Sequence, residues 1–281
     1  LIVVMQDALN LSKERREITR AKIDLGAGSE MQLLQATVDM NTDSINLIRE
    51  ISTMKQTRAD LNRLMTLEPA TFFTLTDSIN LNGPLSYDQL LAAALKQNND
   101  LIVARNNLNI SILELKDARA QRYPRINLNA GYSYSQINSQ TGFAEYSHNL
   151  GPSVGFSLSY PLFDGLNVNR TVNNAKLTIN THENLVKDTE LSLANDLYKV
   201  YTEYLTQLEI VQIERINQDV AKKNLDVAFE KYRLGTINDI DLREIQKKYI
   251  DAQYQLLLSQ FLAKKAETDL LRISGELGKM F

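Results

Sequence analysis

From about Val168 to Tyr232 the chain contains neither proline nor glycine. As one α-helix those 65 residues span about 100 Å at 1.5 Å per residue. A globular enzyme has little use for that length, so the run points to long antiparallel helices. It ends at a marked break, "KYRLGTINDIDLREI", residues 231–245, with Gly235 at its centre. A similar break, "AKIDLGAGSEMQLLQ", residues 21–35, is centred on Gly26.

The two breaks are one motif used twice. With an offset of 209 residues, Lys22 aligns with Lys231, Leu25 with Leu234, Gly26 with Gly235, Leu33 with Leu242, Leu47 with Leu256, Leu61 with Leu270 and Arg63 with Arg272. No gap is needed from residue 22 to 64, a register that chance rarely produces. Each glycine reads as a left-handed helix cap, which only glycine occupies without steric cost. Lys22 and Lys231 sit in the last turn, where a cation suits the helix dipole. Ser29 and Asn238 then act as N-caps, and Gln32 completes a capping box. The expected result is two helical hairpins with matching tips.

The return helix of the second hairpin carries Leu242, Ile245, Tyr249, Ala252, Leu256, Ser259, Ala263, Ala266, Leu270 and Ile273 at steps of three and four. That is a heptad seam, made for packing at about +20° against neighbouring helices. The matching seam of the first hairpin is interrupted by Asp43 and Glu50. On the heptads alone, a soluble coiled coil is the favoured reading.

Residues 123–163 break with this pattern. In "RINLNAGYSYSQ", Ile126, Leu128, Ala130, Tyr132 and Tyr134 alternate with Asn127, Asn129, Gly131, Ser133 and Ser135. In "SVGFSLSYPLF", Val154, Phe156, Leu158 and Tyr160 alternate with Ser153, Gly155, Ser157 and Ser159. Period two is a strand, and about 9–11 residues is the length that crosses a bilayer when tilted. A polar loop over 137–152 is expected between the strands, with Pro124 and Pro161 outside them. Eight of the chain's twenty aromatic residues fall in this segment, against about three for an even spread. Aromatic girdles mark membrane barrels. Two strands cannot close a barrel, and open edges are not tolerated in lipid, so partners are required.

Composition narrows the function classes. The net charge of −3 and pI near 5.6 provide no basic field for nucleic acid. No cysteine is present, which removes disulfides, thiolate metal sites and a cysteine nucleophile. His148 and His182 match no metal-ligand spacing. No nucleophile–base–acid set or phosphate loop appears, so an enzyme is the weakest reading, and no cofactor, metal or catalytic residue is expected. No apolar run reaches the roughly 18–20 residues of a membrane helix. The opening residues lack a basic start and a cleavage site.

Taken in order, three stretches resemble the TolC family of outer-membrane efflux and secretion channels. "LSYDQLLAAALKQNNDLIVARNNLNISILELKDARAQRYPRINLNAGYSY" resembles the start of a family repeat, "LSYPLFDG" the strand exit into a long helix, and "YRLGTINDIDLREIQKKYIDAQYQLLLSQFLAKKAETDLLRISG" a hairpin tip and return helix. The resemblance implies a mainly α fold with a small β part. Long helical hairpins would form an α-barrel tunnel. The β-hairpin would contribute to a 12-stranded transmembrane barrel shared by a homotrimer. It also implies an outer-membrane location with a large periplasmic part, a periplasmic adaptor protein, and an inner-membrane pump of RND or ABC type. By the repeat offset, Leu1 matches Ile210, so on the order of 120 residues of a first repeat are expected upstream, together with any leader. The expected segments are the end of repeat one (1–66), a linker of the equatorial region (67–85), the first helices of repeat two (86–122), the β-hairpin (123–163) and the long hairpin (164–281).

The resemblance also assigns roles. Leu25, Gly26, Arg233, Leu234 and Gly235 align with hairpin tips that meet the adaptor. Asp241 and Glu244 align with acidic rings that narrow the tunnel, and Gln32 and Gln35 are their repeat-one counterparts. A plainer reading of both acids stays open, as first-turn residues that stabilise the helix N-terminus. Ile237 stands where some members carry a basic latch residue. Ile126, Leu128, Tyr132, Tyr134, Val154, Phe156, Leu158 and Tyr160 would face outer-membrane lipid. The competing class is a structural coiled-coil or adaptor-like interaction protein with a soluble β-hairpin. Charge on the apolar strand face discriminates the two, since a lipid-facing position loses about 2–4 kcal/mol per midplane arginine.

Overall fold

The computed structural model describes residues 1–74, 79–81, 83–138 and 146–280. The chain opens with α1 (Ile2–Asp24) and α2 (Glu30–Leu64), then α3 (Tyr87–Gln97) and α4 (Asn99–Ala120). Two strands follow, β1 (Arg125–Asn138) and β2 (Tyr146–Ser159). The chain continues through α5 (Asn167–Arg233) and α6 (Asp239–Ser274) to a short 3₁₀ turn. The glycine-free run is one unbroken helix of 67 residues. No helix among the described residues is long and apolar enough to cross a membrane.

Both hairpin tips close in the same way. Gly26 and Gly235 have φ of 75° and 77°. In tip one the N–H of Ala27 donates to Lys22 O at 2.8 Å, and in tip two Thr236 donates to Lys231 O at 2.9 Å. These six-to-one bonds satisfy carbonyls that the helix ends leave open. Asn238 Oδ1 then accepts from the Asp241 N–H at 2.8 Å and starts α6. The tips differ two residues further on. A Cβ on Gly28 would lie 2.8 Å from Ile23 Cγ1 and 2.9 Å from Ile23 N. Repeat two carries Ile237 at that position, and its side chain packs on a buried cluster instead.

Two compact units divide the chain: residues 1–92 with 196–281, and residues 93–195. In the first unit α1 packs against both α2 and α6. Its core near the tips joins Leu225, Ala228, Phe229 and Tyr232 of α5 to Leu242 and Tyr249 of α6, with Leu11 and Ile18 of α1 against them. Along the α6 seam Leu242, Tyr249, Ser259, Ala263, Ala266, Leu270 and Ile273 are buried. Ser259, Ala263 and Ala266, small residues at three successive layers, let the helices approach closely there. The linker is held to this unit by side chains. Tyr201 Oη donates to Leu85 O at 3.1 Å, Tyr204 Oη to Gly83 O at 3.2 Å, and the buried Asn62 amide to Pro69 O and Thr71 O.

In the second unit α4 starts where Asn98 Oδ1 accepts from the N–H groups of Asp100 and Leu101. Leu101, Ala104, Ser111 and Ala118 form its buried face. Arg105 pairs with Glu190 of α5 at 2.8 Å.

Strands β1 and β2 pair antiparallel in unbroken register from Arg125–Ser159 to Asn138–Tyr146. The loop expected over 137–152 is therefore mostly strand. Residues 137–138 and 146–152 belong to the ladder, and 139–145 lie outside the described residues. Polar alternation misled the sequence reading here, because Ser, Asn and His are poor strand formers that pairing nonetheless holds in the ladder. Pro152 sits opposite Tyr132, as an edge strand permits. Tyr160 falls just beyond β2 rather than within it. Pro161 follows Tyr160 and lacks the N–H that a continuing ladder needs.

Candidate functional site

The register sorts the strand side chains. On one face Ile126 is opposite Leu158, Leu128 opposite Phe156, Ala130 opposite Val154 and Tyr134 opposite Leu150. On the other, Asn127 is opposite Ser157, Asn129 opposite Gly155 and Gly131 opposite Ser153. One face is mainly apolar; the other is mainly small and polar, with Arg125 at its start the charged residue there among the described residues. Among the described residues nothing covers either face: from Leu150 at 52% to Val154 at 77%, the large apolar side chains stand in the open.

The second candidate region is the pair of tips. Leu25 and Leu234 project from them, 83% and 78% exposed. Arg233 does not project freely. Its guanidinium bridges Glu14 of α1 at 2.6 Å and Glu230 at 3.0 Å.

Beside the tips an open groove of about 620 Å³ is lined by residues of α1, α2 and α6. It brings together Gln32, Gln35 and Glu244, but not Asp241. Gln32 Oε1 accepts from the Ser29 N–H at 3.2 Å, and Gln35 donates to Asp39 at 3.1 Å. Glu244 carries its own counter-ion, with Lys248 Nζ 2.7 Å from Oε1. Lys248 holds the Glu244 carboxyl below the usual carboxylate range, by hydrogen bonding and then by charge. Ile237, at the latch position, is partly buried against the core cluster.

The strongest electrostatic feature of the tips was not foreseen from sequence. Arg15 is buried at 1% exposure in the middle of α1. Its Nε donates to Asp239 Oδ1 at 2.7 Å, its Nη2 bonds Asp239 Oδ2, and its Nη1 donates to Asp39 Oδ2 at 2.7 Å. Tyr232 Oη donates to Asp239 Oδ1 at 3.2 Å and lies in hydrogen-bond contact with Thr19 Oγ1 at 2.8 Å. Arg243 extends the network, reaching Asp43 at 3.0 Å and Ser12 at 3.1 Å, while Ser12 also donates to Asp43. Burial alone would lower the Arg15 pKa, but the bonds to Asp239 and Asp39 outweigh it and raise the value. Burial pushes the Tyr232 phenol up, so it remains a neutral donor. The network ties both helices of the first hairpin to the first turns of α6. One signal was available: Asp43 interrupts a heptad seam, and a carboxylate at a core position needs a partner. Arg15 itself lies in "SKERRE", which reads as a solvated charge run.

Among the described residues no three His, Asp or Glu side chains are placed to hold a metal ion.

The model of the outer membrane efflux protein family matches residues 90–276, which include the strand pair, α5, the second tip and α6. The chain belongs to that family. By sequence it is similar to the outer membrane protein TolC of Escherichia coli K12, 22% identical over 223 residues, covering 72% of this chain and 45% of TolC. It is also similar to the alkaline protease secretion protein AprF of Pseudomonas aeruginosa, 20% identical over 270 residues, covering 92% of this chain and 56% of AprF. The chain thus spans about half the length of the relatives it matches by sequence. Among solved structures it resembles the outer membrane protein VceC of Vibrio cholerae, with a TM-score of 0.71 at 18% identity over 98% of this chain and 65% of VceC. The outer-membrane channel OprN gives 0.72 at 18% identity over 98% and 62%. At these identities the structural likeness establishes the family fold.

Proposed function

We propose that the whole protein is an outer-membrane exit duct of a tripartite efflux or type I secretion system. It acts as a passive conduit, assembled as a homotrimer, with a periplasmic adaptor and an inner-membrane pump as partners. The observation that carries this reading is the β1–β2 pair. Its apolar face has no cover among the described residues, and its free edges require further strands. Lipid outside, water inside and neighbouring strands at the edges satisfy all three demands at once. Family membership and the names of TolC and AprF point the same way.

The tips form the periplasmic end of the duct on this reading. Leu25 and Leu234 offer apolar contacts to an adaptor, while Gly26 and Gly235 turn the chain. Gln32, Gln35 and Glu244 share the groove beside the tips. With Asp241 they form the aperture lining. Opening requires the Arg15–Asp239 tie between the hairpins to yield.

The test is single-channel conductance of the full-length protein in planar bilayers, beside the Asp241→Asn, Glu244→Gln double variant. A small, cation-preferring conductance that rises in the double variant supports duct and aperture together. A conducting protein unchanged by the two substitutions keeps the duct and assigns both acids to helix capping. Folded trimers that never conduct would refute the duct and leave the coiled-coil interaction protein.

A further inference from the structure

The end of the strand pair that joins the helices gathers positive charge and apolar surface that nothing among the described residues neutralises or covers. All of it lies in the unit of residues 93–195. Arg125 opens β1, Arg122 lies three residues before it, and Arg170 stands in the first turn of α5. Within β1 and β2 themselves no Lys, Asp or Glu occurs, and no Arg after Arg125. The cations are therefore confined to one end of the ladder.

The two guanidiniums beside α5 have only neutral partners. Arg122 Nη2 donates to Asn169 Oδ1 at 2.9 Å, and Arg170 Nη2 to Asn167 Oδ1 at 2.8 Å. Among the described residues neither forms an ion pair. Arg122 lines an open cleft with Leu162, Phe163 and Asn169, and Arg170 lines a second with Gly165 and Leu166. Asp164 borders both, but its Oδ2 accepts from the Val168 N–H at 2.8 Å and so caps α5. A cation in the first turn opposes the helix dipole, and no acid in that turn offsets Arg170. The helix itself gives no reason for an arginine there.

The apolar surface lies between these cations in sequence. Leu162 and Phe163 are 92% and 85% exposed, and Tyr123 and Tyr160 are more than half exposed. Leu166 has a φ of 66°. Leucine enters that left-handed region only against a steric cost, and at 66% exposure it gains no burial that would offset it. A strained, uncovered leucine next to unneutralised cations points to a partner outside the chain.

We infer that this end of the strand pair binds the phosphate headgroup of anionic phospholipid, in the leaflet nearer the helices. Arg122 and Arg170 hold the phosphate, while Leu162, Phe163 and Leu166 enter the acyl boundary. A guanidinium matches phosphate oxygens with a planar fork of donors, and cations beside a bilayer concentrate anionic lipid. Tyrosine, apolar with a polar tip, suits the same interface. A free anion would gain nothing from the apolar neighbours, so lipid is the occupant that uses both features. The inference rests on the lipid-facing strand pair proposed above, and adds to it a preference among lipids.

The test is fluorescence quenching in the full-length protein carrying Phe163→Trp. This chain has no tryptophan, and the parent sets the background. The protein is reconstituted into mixed vesicles of phosphatidylcholine and phosphatidylglycerol, with brominated chains on one lipid or the other at equal bromine content. The expected result is about two-fold or stronger quenching when phosphatidylglycerol carries the bromine. Arg122→Gln with Arg170→Gln should make the two lipids equal, whereas Arg122→Lys with Arg170→Lys should keep most of the preference. Assembly on gels is scored for each variant, and the single glutamine variants replace the double one if it does not assemble. Equal quenching by both lipids before any arginine is changed overturns the inference, as does a preference that survives the glutamine variants. Quenching by neither lipid also overturns it. In that case Leu128→Trp quenched by both lipids leaves the duct standing, and Leu128→Trp untouched in assembled protein overturns the lipid-facing strands as well.

Discussion

At the scale of single residues, the tips depend on a buried charge and on one glycine. Arg15 satisfies Asp239 and Asp39 where water has little access. Removing one partner of a buried ion pair strands the others, at a cost of about 3–5 kcal/mol. Arg15→Met should therefore raise hydrogen exchange at the backbone amides of residues 239–243 by several hundred-fold or more. Adding Asp239→Leu should restore much of the protection, because an apolar pair of similar volume removes the stranded charge. No recovery in the double variant would mean that the network does not hold the tip. Gly28 is required for a different reason. Its φ is ordinary, but a methyl there meets the Ile23 backbone at 2.9 Å. Gly28→Ala should destabilise the first tip by roughly 1–3 kcal/mol, the usual range for overpacking. Gly235→Ala meets no atom within 4 Å, so it should lose only the left-handed preference, about 1 kcal/mol. Proteolysis at the two tips would rank the variants.

At the scale of elements, the strands and helices place opposite demands on their surroundings. The long helices satisfy their own backbone and need only apolar seams, which Leu242 through Ile273 supply. The strands satisfy half their backbone with each other and need neighbours for the rest. Leu128→Arg puts a charge on the apolar face, where a midplane arginine is expected to cost about 2–4 kcal/mol in lipid. Asn129→Arg, one residue along on the polar face, should fold nearly as well as the parent. Heat-resistant assembly on gels distinguishes them, and equal tolerance of both would favour a soluble hairpin. The linker makes a further element-scale prediction. Tyr201→Phe with Tyr204→Phe removes both bonds to residues 83 and 85. It should make residues 83–86 more susceptible to protease while leaving the hairpins intact.

At the scale of the whole molecule, the proposed conduit links tip charge to pH. Lys248 depresses the Glu244 pKa. The carboxylate therefore stays charged as pH falls past the ordinary glutamate value, and loses its charge only when pH passes through the lower folded value. Any cation preference owed to Glu244 should persist to a more acidic pH than for a free glutamate. Lys248→Gln should move the point where the preference fades upward in pH. Reversal potentials across a salt gradient, taken from neutral to acid, measure this directly. An identical pH profile for parent and variant would remove Glu244 from the conducting path.

Local chemistry is what the sequence determined. The unbroken α5, the two glycine turns, the α6 seam and the alternating strands all follow from interactions within a few residues, so periodicity and caps made them legible. The order of those elements then pointed to the family. The end of the strand ladder was less legible, because pairing holds residues 146–152 that propensity alone leaves in a loop. The tip chemistry belonged to the tertiary structure alone. Arg15 and Asp239 are 224 positions apart, and no local pattern states that a charged residue in "SKERRE" turns inward. Only packing α1 between α2 and α6 removes water from that site, and the loss of water is what makes those charges find one another.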